Sequence, residues 1–199
     1  MTKVVGITGG IGSGKTTLSN YLKNIGFSVH ESDTVVSDIY SKPSKLFINF
    51  IKKNISKEAV KNNKINKKKI ANIIFNNNII KKKLENYIHK KVRLSRKKFI
   101  QKNLKNKKKI VFIDIPLLLE NKLEKHFDLV VCVISNKPNR VKRVLKNNKF
   151  NKKTLNKIFK AQTLDKERRK RSQIIINNNK TKKDFIFAAE KALMETLKW

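Results

Sequence analysis

With 199 residues, 39% of them hydrophobic, the chain is long enough for one compact domain with small insertions and too apolar for a disordered one. No apolar run approaches the roughly 18 residues that a membrane helix needs. The N-terminus, Met1-Thr2-Lys3-Val4-Val5-Gly6-Ile7, lacks the pattern of a secretory signal, so a cytoplasmic protein with no membrane role is expected. Lys and Arg number 49 against 14 Asp and Glu, a formal charge of +35 that favours anionic partners of any kind.

In chain order, Val4-Val5-Gly6-Ile7-Thr8 is short and β-branched and predicts a buried strand. A glycine-rich turn follows, then a helix from Lys15 to Asn24 with Leu18, Tyr21, Leu22 and Ile25 at helical spacing and Gly26 as its stop. Residues 27–30 predict a second strand that ends at Glu31-Ser32-Asp33. From about residue 41 to 108 there is no convincing buried strand. Pro43 opens a helix with Leu46, Phe47, Phe50 and Ile51 on one face, Ile70, Ile73 and Ile74 form a second stripe, and Ile80, Leu84, Tyr87, Ile88 and Val92 a longer third. Strand character returns at residues 110–113, which lead into Asp114, and again at 129–134. Residues 140–171 predict basic helix, with Leu155, Ile158 and Phe159 as an apolar stripe. Ile174-Ile175-Ile176 predicts a fifth strand, and Thr181 with Asp184 caps a last helix lined by Phe185, Ala188, Ala192 and Leu193. Five short strands separated by helices predict an α/β fold with a doubly wound parallel sheet.

The chemistry is carried first by Gly9-Gly10-Ile11-Gly12-Ser13-Gly14-Lys15-Thr16, two glycines at the spacing of a phosphate-binding loop followed by Lys and Thr. Glycines let the backbone close around an anion so that successive N–H groups face it, and the helix that starts near Lys15 presents its positive end to the same charge. The pattern sits between a predicted strand and a predicted helix, the context it requires. Gly12, Ser13, Gly14, Lys15, Thr16 and Thr17 are therefore the expected ATP-binding residues, with Lys15 on the transferred phosphate and Thr16 as a Mg²⁺ ligand.

Asp33 follows the second strand, where a carboxylate can take the proton of an attacking hydroxyl; on an extended chain Glu31 would share its face. Its structural alternative is a helix N-cap for residues 34–40. Asp114, at the end of the third strand, is either a second metal-binding carboxylate or a turn residue. Arg140 and Arg143, three apart, either lie on one face of a closing helix that neutralises phosphate charge or belong to a solvated basic helix. Arg168, Arg169 and Arg171 carry a weaker signal. Cys132 lies inside an apolar run and reads as a buried strand residue, and His30, His89 and His126 show no metal-ligand spacing.

Residues 6–17 resemble the opening of dephospho-CoA kinases almost position for position, and the distance to Asp33 agrees. Asp114-Ile115-Pro116-Leu117-Leu118-Leu119-Glu120 resembles that family's Asp-x-Pro-Leu-Leu-x-Glu segment, and Ala161-Gln162 and Ile176-Asn177-Asn178 resemble two further landmarks. The likeness is faint between 42 and 108, where it rests on Ile88-His89. It implies a P-loop NTPase fold, a single kinase domain whose five-stranded parallel core (1–41, 109–136 and 172–199) carries a helical substrate-binding insertion (about 42–108) and a lid with its following helix (about 137–171). It also implies transfer of the ATP γ-phosphate to the ribose 3′-hydroxyl of dephospho-CoA. Asp33 would be the base, Lys15 and Arg140 phosphate stabilisers, Thr16 and Asp114 metal ligands, and Thr8, Asp33, His89 and Leu117 substrate contacts. The chain departs from the family pattern at Glu31, Ser37, Lys90, Gln173 and Asn147-Asn148, the last pair standing where the lid has Arg-Asp.

A nucleoside or nucleoside-monophosphate kinase would share the loop, base and lid. A nucleic-acid-binding protein with an ATP switch would suit the +35 charge, but no zinc finger, RNA-recognition signature or interleaved aromatic platform accompanies it. Lysine is mixed throughout with asparagine and isoleucine, whose codons are also rich in A and T, so compositional drift accounts for most of these cations as solvated surface. The expected partners are ATP and dephospho-CoA, with no specific nucleic acid, in a monomer or weak homo-oligomer.

Overall fold

The computed structural model describes residues 2–146 and 150–198; the Asn147-Asn148 departure lies outside them. Five parallel strands form the main sheet: β1 (Lys3–Gly9), β2 (Ser28–Glu31), β5 (Ile110–Asp114), β6 (Leu129–Ile134) and β7 (Ile174–Asn177), in the order β2-β5-β1-β6-β7. All five fall on segments read as strands in the sequence, four of them on β-branched or apolar runs. The winding reverses direction at β1, so the crevice of the sheet opens beyond its carboxyl end, where Gly9 leads into the glycine-rich loop.

Both faces of the sheet are covered, which is why its strands read as continuous apolar runs rather than alternating ones. Val5, Ile7, Phe112, Val131, Val133, Ile174 and Ile176 face α1 (Lys15–Asn24) and α9 (Lys182–Leu197), which contribute Leu18, Leu22, Phe185, Ala189, Leu193 and Leu197 to one core. Burying a ring such as Phe112 contributes about 2–3 kcal/mol. The opposite set includes Gly6, where a Cβ would stand 2.7 Å from the Leu118 side chain, and Cys132, whose thiol is pushed up to about 11 by burial. The last helix starts with the expected capping box between Thr181 and Asp184, but its buried stripe runs through Ala189, one position beyond the predicted Ala188, which is only partly covered.

The chain forms two compact units, 1–31 with 100–199 and 32–99. The second contains α2 (Ser32–Ser41), α3 (Lys45–Asn54), α4 (Lys67–Phe75) and most of α5 (Asn78–Lys105). Its core is Phe47, Ile51, Ala59, Ile70 and Leu84, with Phe50 and Tyr87 rings stacked 4.4 Å apart beside it. Leu46, expected on this face, is 68% exposed; helix α3 turns Phe47, Ile48 and Ile51 inward instead. Ser44, one residue after Pro43, caps α3 by accepting from the Phe47 N–H. A two-stranded hairpin, β3 (Val60–Lys61) and β4 (Lys64–Ile65), also lies here. No helix among the described residues is long and apolar enough to cross a membrane.

The remaining basic segment folds as α6 (Lys137–Lys146), α7 (Lys152–Ala161) and α8 (Asp165–Lys170), in keeping with the helical reading of 140–171.

Candidate active site

The loop between β1 and α1 turns on residues that side chains would obstruct. Gly14 has φ +110 and forms the left-handed entry to α1, and a Cβ there would collide with the Asn178 carboxamide. A Cβ on Gly10 would collide with the Arg140 guanidinium and stand 2.8 Å from Arg168 Nη1. No side chain caps the start of α1, so its first N–H groups are left for an anion. Lys15 donates from Nζ to the Gly9 carbonyl at 2.8 Å. Gly12, Gly14, Lys15, Thr16 and Thr17, five of the six expected ATP-binding residues, line a cleft of about 430 Å³ together with Arg143. Ser13, the sixth, is buried beside them.

The carboxyl ends of the neighbouring strands add to this site. Asp114 pairs in register with Ile7 of β1 and Glu31 of β2. It is 8% exposed, and its Oδ2 accepts from Ser19 Oγ of α1 at 2.9 Å, a buried hydrogen bond that contributes about 1 kcal/mol. Asp114 is therefore more than a turn residue: it ties α1 to the sheet one turn past Thr16. Thr8 is buried at the end of β1 with its hydroxyl lacking a hydrogen-bond partner among the described residues, while Leu117 is 44% exposed. Glu31 pairs with Lys23.

Asp33 and His89 belong to the second unit, and both are exposed on their helices. Two expectations for Asp33 are corrected. The chain turns helical at Ser32, so Asp33 lies inside the first turn of α2 and is not its N-cap. The alternation that would have put Glu31 and Asp33 on one face stops at the same point, because β2 ends at Glu31.

Arg140 and Arg143 do not belong to a solvated helix face. Arg140 is 6% exposed, donates from Nε to the Ile11 carbonyl at 2.9 Å and from Nη2 to Gln162 Oε1 at 3.3 Å, and lies over the Phe159 ring at 4.7 Å. Arg143, three residues on and on the same face, donates to the carbonyls of Gly12 and Ser13 at 3.3 and 3.5 Å. Burial pulls the Arg140 guanidinium below its ordinary value, Asp165 opposes the fall and Arg168 adds to it.

Arg168, a weak candidate in the sequence, is 1% exposed. It pairs with Glu120 at 3.0 Å and with Asp165 at 2.9 Å. Burial pushes the Glu120 carboxyl upward, but the Thr163 amide and the Arg168 guanidinium outweigh it and hold it below the usual carboxylate range. Glu120, Gln162 and Asn178 had stood in the sequence only as family landmarks, with no role attached. Asp165 carried no signal, because nothing in a run of charged residues distinguishes an ion-pair partner from a solvated side chain. Gln173, a departure from the family pattern, accepts from the Val130 N–H at 2.8 Å and donates its own N–H to the Val130 carbonyl, so it secures β6 beside β7.

Comparison with known proteins places this arrangement. Solved structures similar over nearly the whole chain include TT1252 from Thermus thermophilus (TM-score 0.77, 26% identity, 98% of each chain) and dephospho-CoA kinase from Campylobacter jejuni (0.75, 26%, 100% of this chain and 98% of that one). A shikimate kinase from Acinetobacter baumannii shares the fold at 13% identity and a TM-score of 0.54, consistent with a P-loop NTPase architecture. In sequence, the chain is 35% identical over 193 residues to a dephospho-CoA kinase of Fusobacterium nucleatum, spanning 94% of this chain and 95% of that one. It is 34% identical over 178 residues to one of Bartonella quintana, spanning 89% and 90%. With the dephospho-CoA kinase profile matching residues 3–184, the chain belongs to the dephospho-CoA kinase family.

Proposed function

We propose that the protein transfers the γ-phosphate of ATP to the ribose 3′-hydroxyl of dephospho-CoA, giving coenzyme A and ADP, in the cytoplasm. The observation that carries the reading is the uncapped, glycine-wound start of α1, with Lys15, Thr16 and Thr17 on the wall of one cleft, in a chain of this family. Such a site suits a triphosphate because backbone dipoles fixed in advance need no reorganisation when charge shifts during transfer.

In this reading Lys15 neutralises the transferred phosphate, and Arg140 adds positive potential from its place against Gly10. Asp33 takes the proton of the attacking hydroxyl. Thr8, His89 and Leu117 contact dephospho-CoA, the helical insertion of 42–108 accepts its remainder, and residues 137–171 act as the lid. No group of three His, Cys, Asp or Glu side chains with metal-ligand geometry occurs among the described residues. The Thr16 hydroxyl and the Asp114 carboxylate would be the protein partners of Mg²⁺, which keeps most of its water and is held largely by phosphates. Held there, Mg²⁺ would supply neutralisation of phosphate charge.

The test is Mg-ATP with a panel of acceptors, following ADP release. Dephospho-CoA is expected to be phosphorylated far faster than nucleosides or nucleoside monophosphates. Transfer to a nucleoside monophosphate with none to dephospho-CoA would overturn the assignment, and ATP hydrolysis stimulated by DNA or RNA would favour a nucleic-acid partner.

A further inference from the structure

We propose that Gln162 is a positioning residue for phosphoryl transfer, fixing both the entry of the phosphate loop and the Arg140 guanidinium through one oxygen atom. Gln162 terminates α7: its N–H closes the helix on the Ile158 carbonyl, and its backbone (φ −90, ψ 149) turns extended. The side chain, half-buried, meets a loop 151 residues away in sequence. Its Oε1 accepts the Ile11 N–H at 3.0 Å and Arg140 Nη2 at 3.3 Å. A carboxamide oxygen has two lone pairs, so one atom can serve both donors.

The consequence for the loop follows from peptide geometry. Arg140 Nε donates to the Ile11 carbonyl at 2.9 Å while Gln162 Oε1 accepts from the Ile11 N–H, so the peptide planes on both sides of Ile11 are fixed. Across a trans peptide the C=O and the following N–H point in opposite directions. Holding the Ile11 carbonyl on Arg140 therefore turns the Gly12 N–H the other way. Gly10, whose carbonyl accepts from the Ser13 N–H at 3.1 Å, is held in the same arrangement. Asp165, 3.6 Å from Arg140 and 2.9 Å from Arg168, is the anion between the two guanidiniums. The inference rests on the kinase reading above and concerns how that site is held.

Three proteins test it: wild type, Gln162→Met, which keeps the chain length and loses the acceptor, and Gln162→Glu, which keeps both acceptor sites. For each, melting temperature, Mg-ADP affinity by calorimetry, and steady-state kinetics with ATP and dephospho-CoA are measured. The Met variant is expected to fold and to lose about tenfold to hundredfold in kcat/KM for ATP, the range for a hydrogen bond to a charged donor. Its KM for dephospho-CoA is expected to move less than about threefold, and the Glu variant to recover to within about fivefold of wild type. Wild-type ATP kinetics in the Met variant, or a Glu variant as impaired as Met, would overturn the positioning role. Should Met not fold, Gln162→Asn, whose oxygen falls one methylene short, carries the same expectations. Wild type that binds Mg-ADP but leaves dephospho-CoA unphosphorylated would remove the acceptor assignment alone, and the nucleotide affinities of the variants would still decide the role of Gln162.

Discussion

Arg143 and Asn178 grip each other and the same loop carbonyl. Arg143 donates to the Asn178 main-chain and side-chain oxygens at 2.9 and 3.1 Å, and both residues reach the Ser13 carbonyl, Asn178 Nδ2 at 2.7 Å and Arg143 Nη1 at 3.5 Å. Pinning that carbonyl turns the Gly14 N–H away from the pair. Asn178→Ala is expected to raise KM for ATP about tenfold, with little change in KM for dephospho-CoA. Arg143→Lys is expected to do the same although charge is kept, because an ammonium cannot reproduce the planar fork that spans Asn178, Ser135 and the loop. Steady-state kinetics with each substrate varied in turn measures both, and a Lys variant with wild-type KM for ATP would show that charge alone suffices.

Lys15 sits at the mouth of the loop with its ammonium on the Gly9 carbonyl, a contact it can exchange for a phosphate oxygen at small cost. In the proposed mechanism Lys15→Ala removes a positive charge beside the transferred group, and the loss of kcat is expected to be about a hundredfold to thousandfold. The fold should persist, since the side chain is only partly buried. An unchanged circular dichroism spectrum beside lost transfer is the expected pair of readings.

Asp33→Asn tests the base. The substitution preserves size and the helical first turn of α2 while removing the acceptor of the hydroxyl proton. General-base contributions of about a hundredfold to ten-thousandfold predict a turnover loss in that range, with Mg-ADP affinity within about twofold. Near-normal turnover would take Asp33 out of this role.

How much could be read in the sequence depended on whether the physical constraint was local. Five of the chain's six glycines lie between residues 6 and 14, so the loop announced itself, and apolar, largely β-branched runs marked four of the five strands because both faces of the sheet are buried. The hairpin at 60–65 left almost no period to detect: its strands are two residues each, and only Asn62-Asn63, both at positive φ, signalled a tight turn. The burial of Arg140 and Arg168 was illegible for a different reason. Among 49 cations, helical spacing cannot tell a guanidinium held by Asp165 from one in water; the distinction lies in contacts between residues far apart in sequence, such as Glu120 with Arg168.

That last pair makes stability depend on pH in a definite direction. The Glu120 carboxyl is held below its ordinary value in the folded protein, so the unfolded chain takes up the proton first as pH falls. The resulting stabilisation is complete above the ordinary glutamate value near 4.3 and is lost as pH drops through the lower folded-state value. Glu120→Gln leaves an acceptor for the Thr163 N–H but removes the charge facing Arg168, which has Asp165 as its other anion. A loss of about 1–3 kcal/mol at neutral pH is expected, roughly 2–10 °C in melting temperature for a chain of this size. The gap between wild type and variant should then narrow as the buffer is taken from pH 7 to pH 3, because wild type loses by protonation what the variant already lacks. Melting curves across that range measure it; a gap that stays constant or widens on acidification would show that the Glu120 charge does not stabilise the fold.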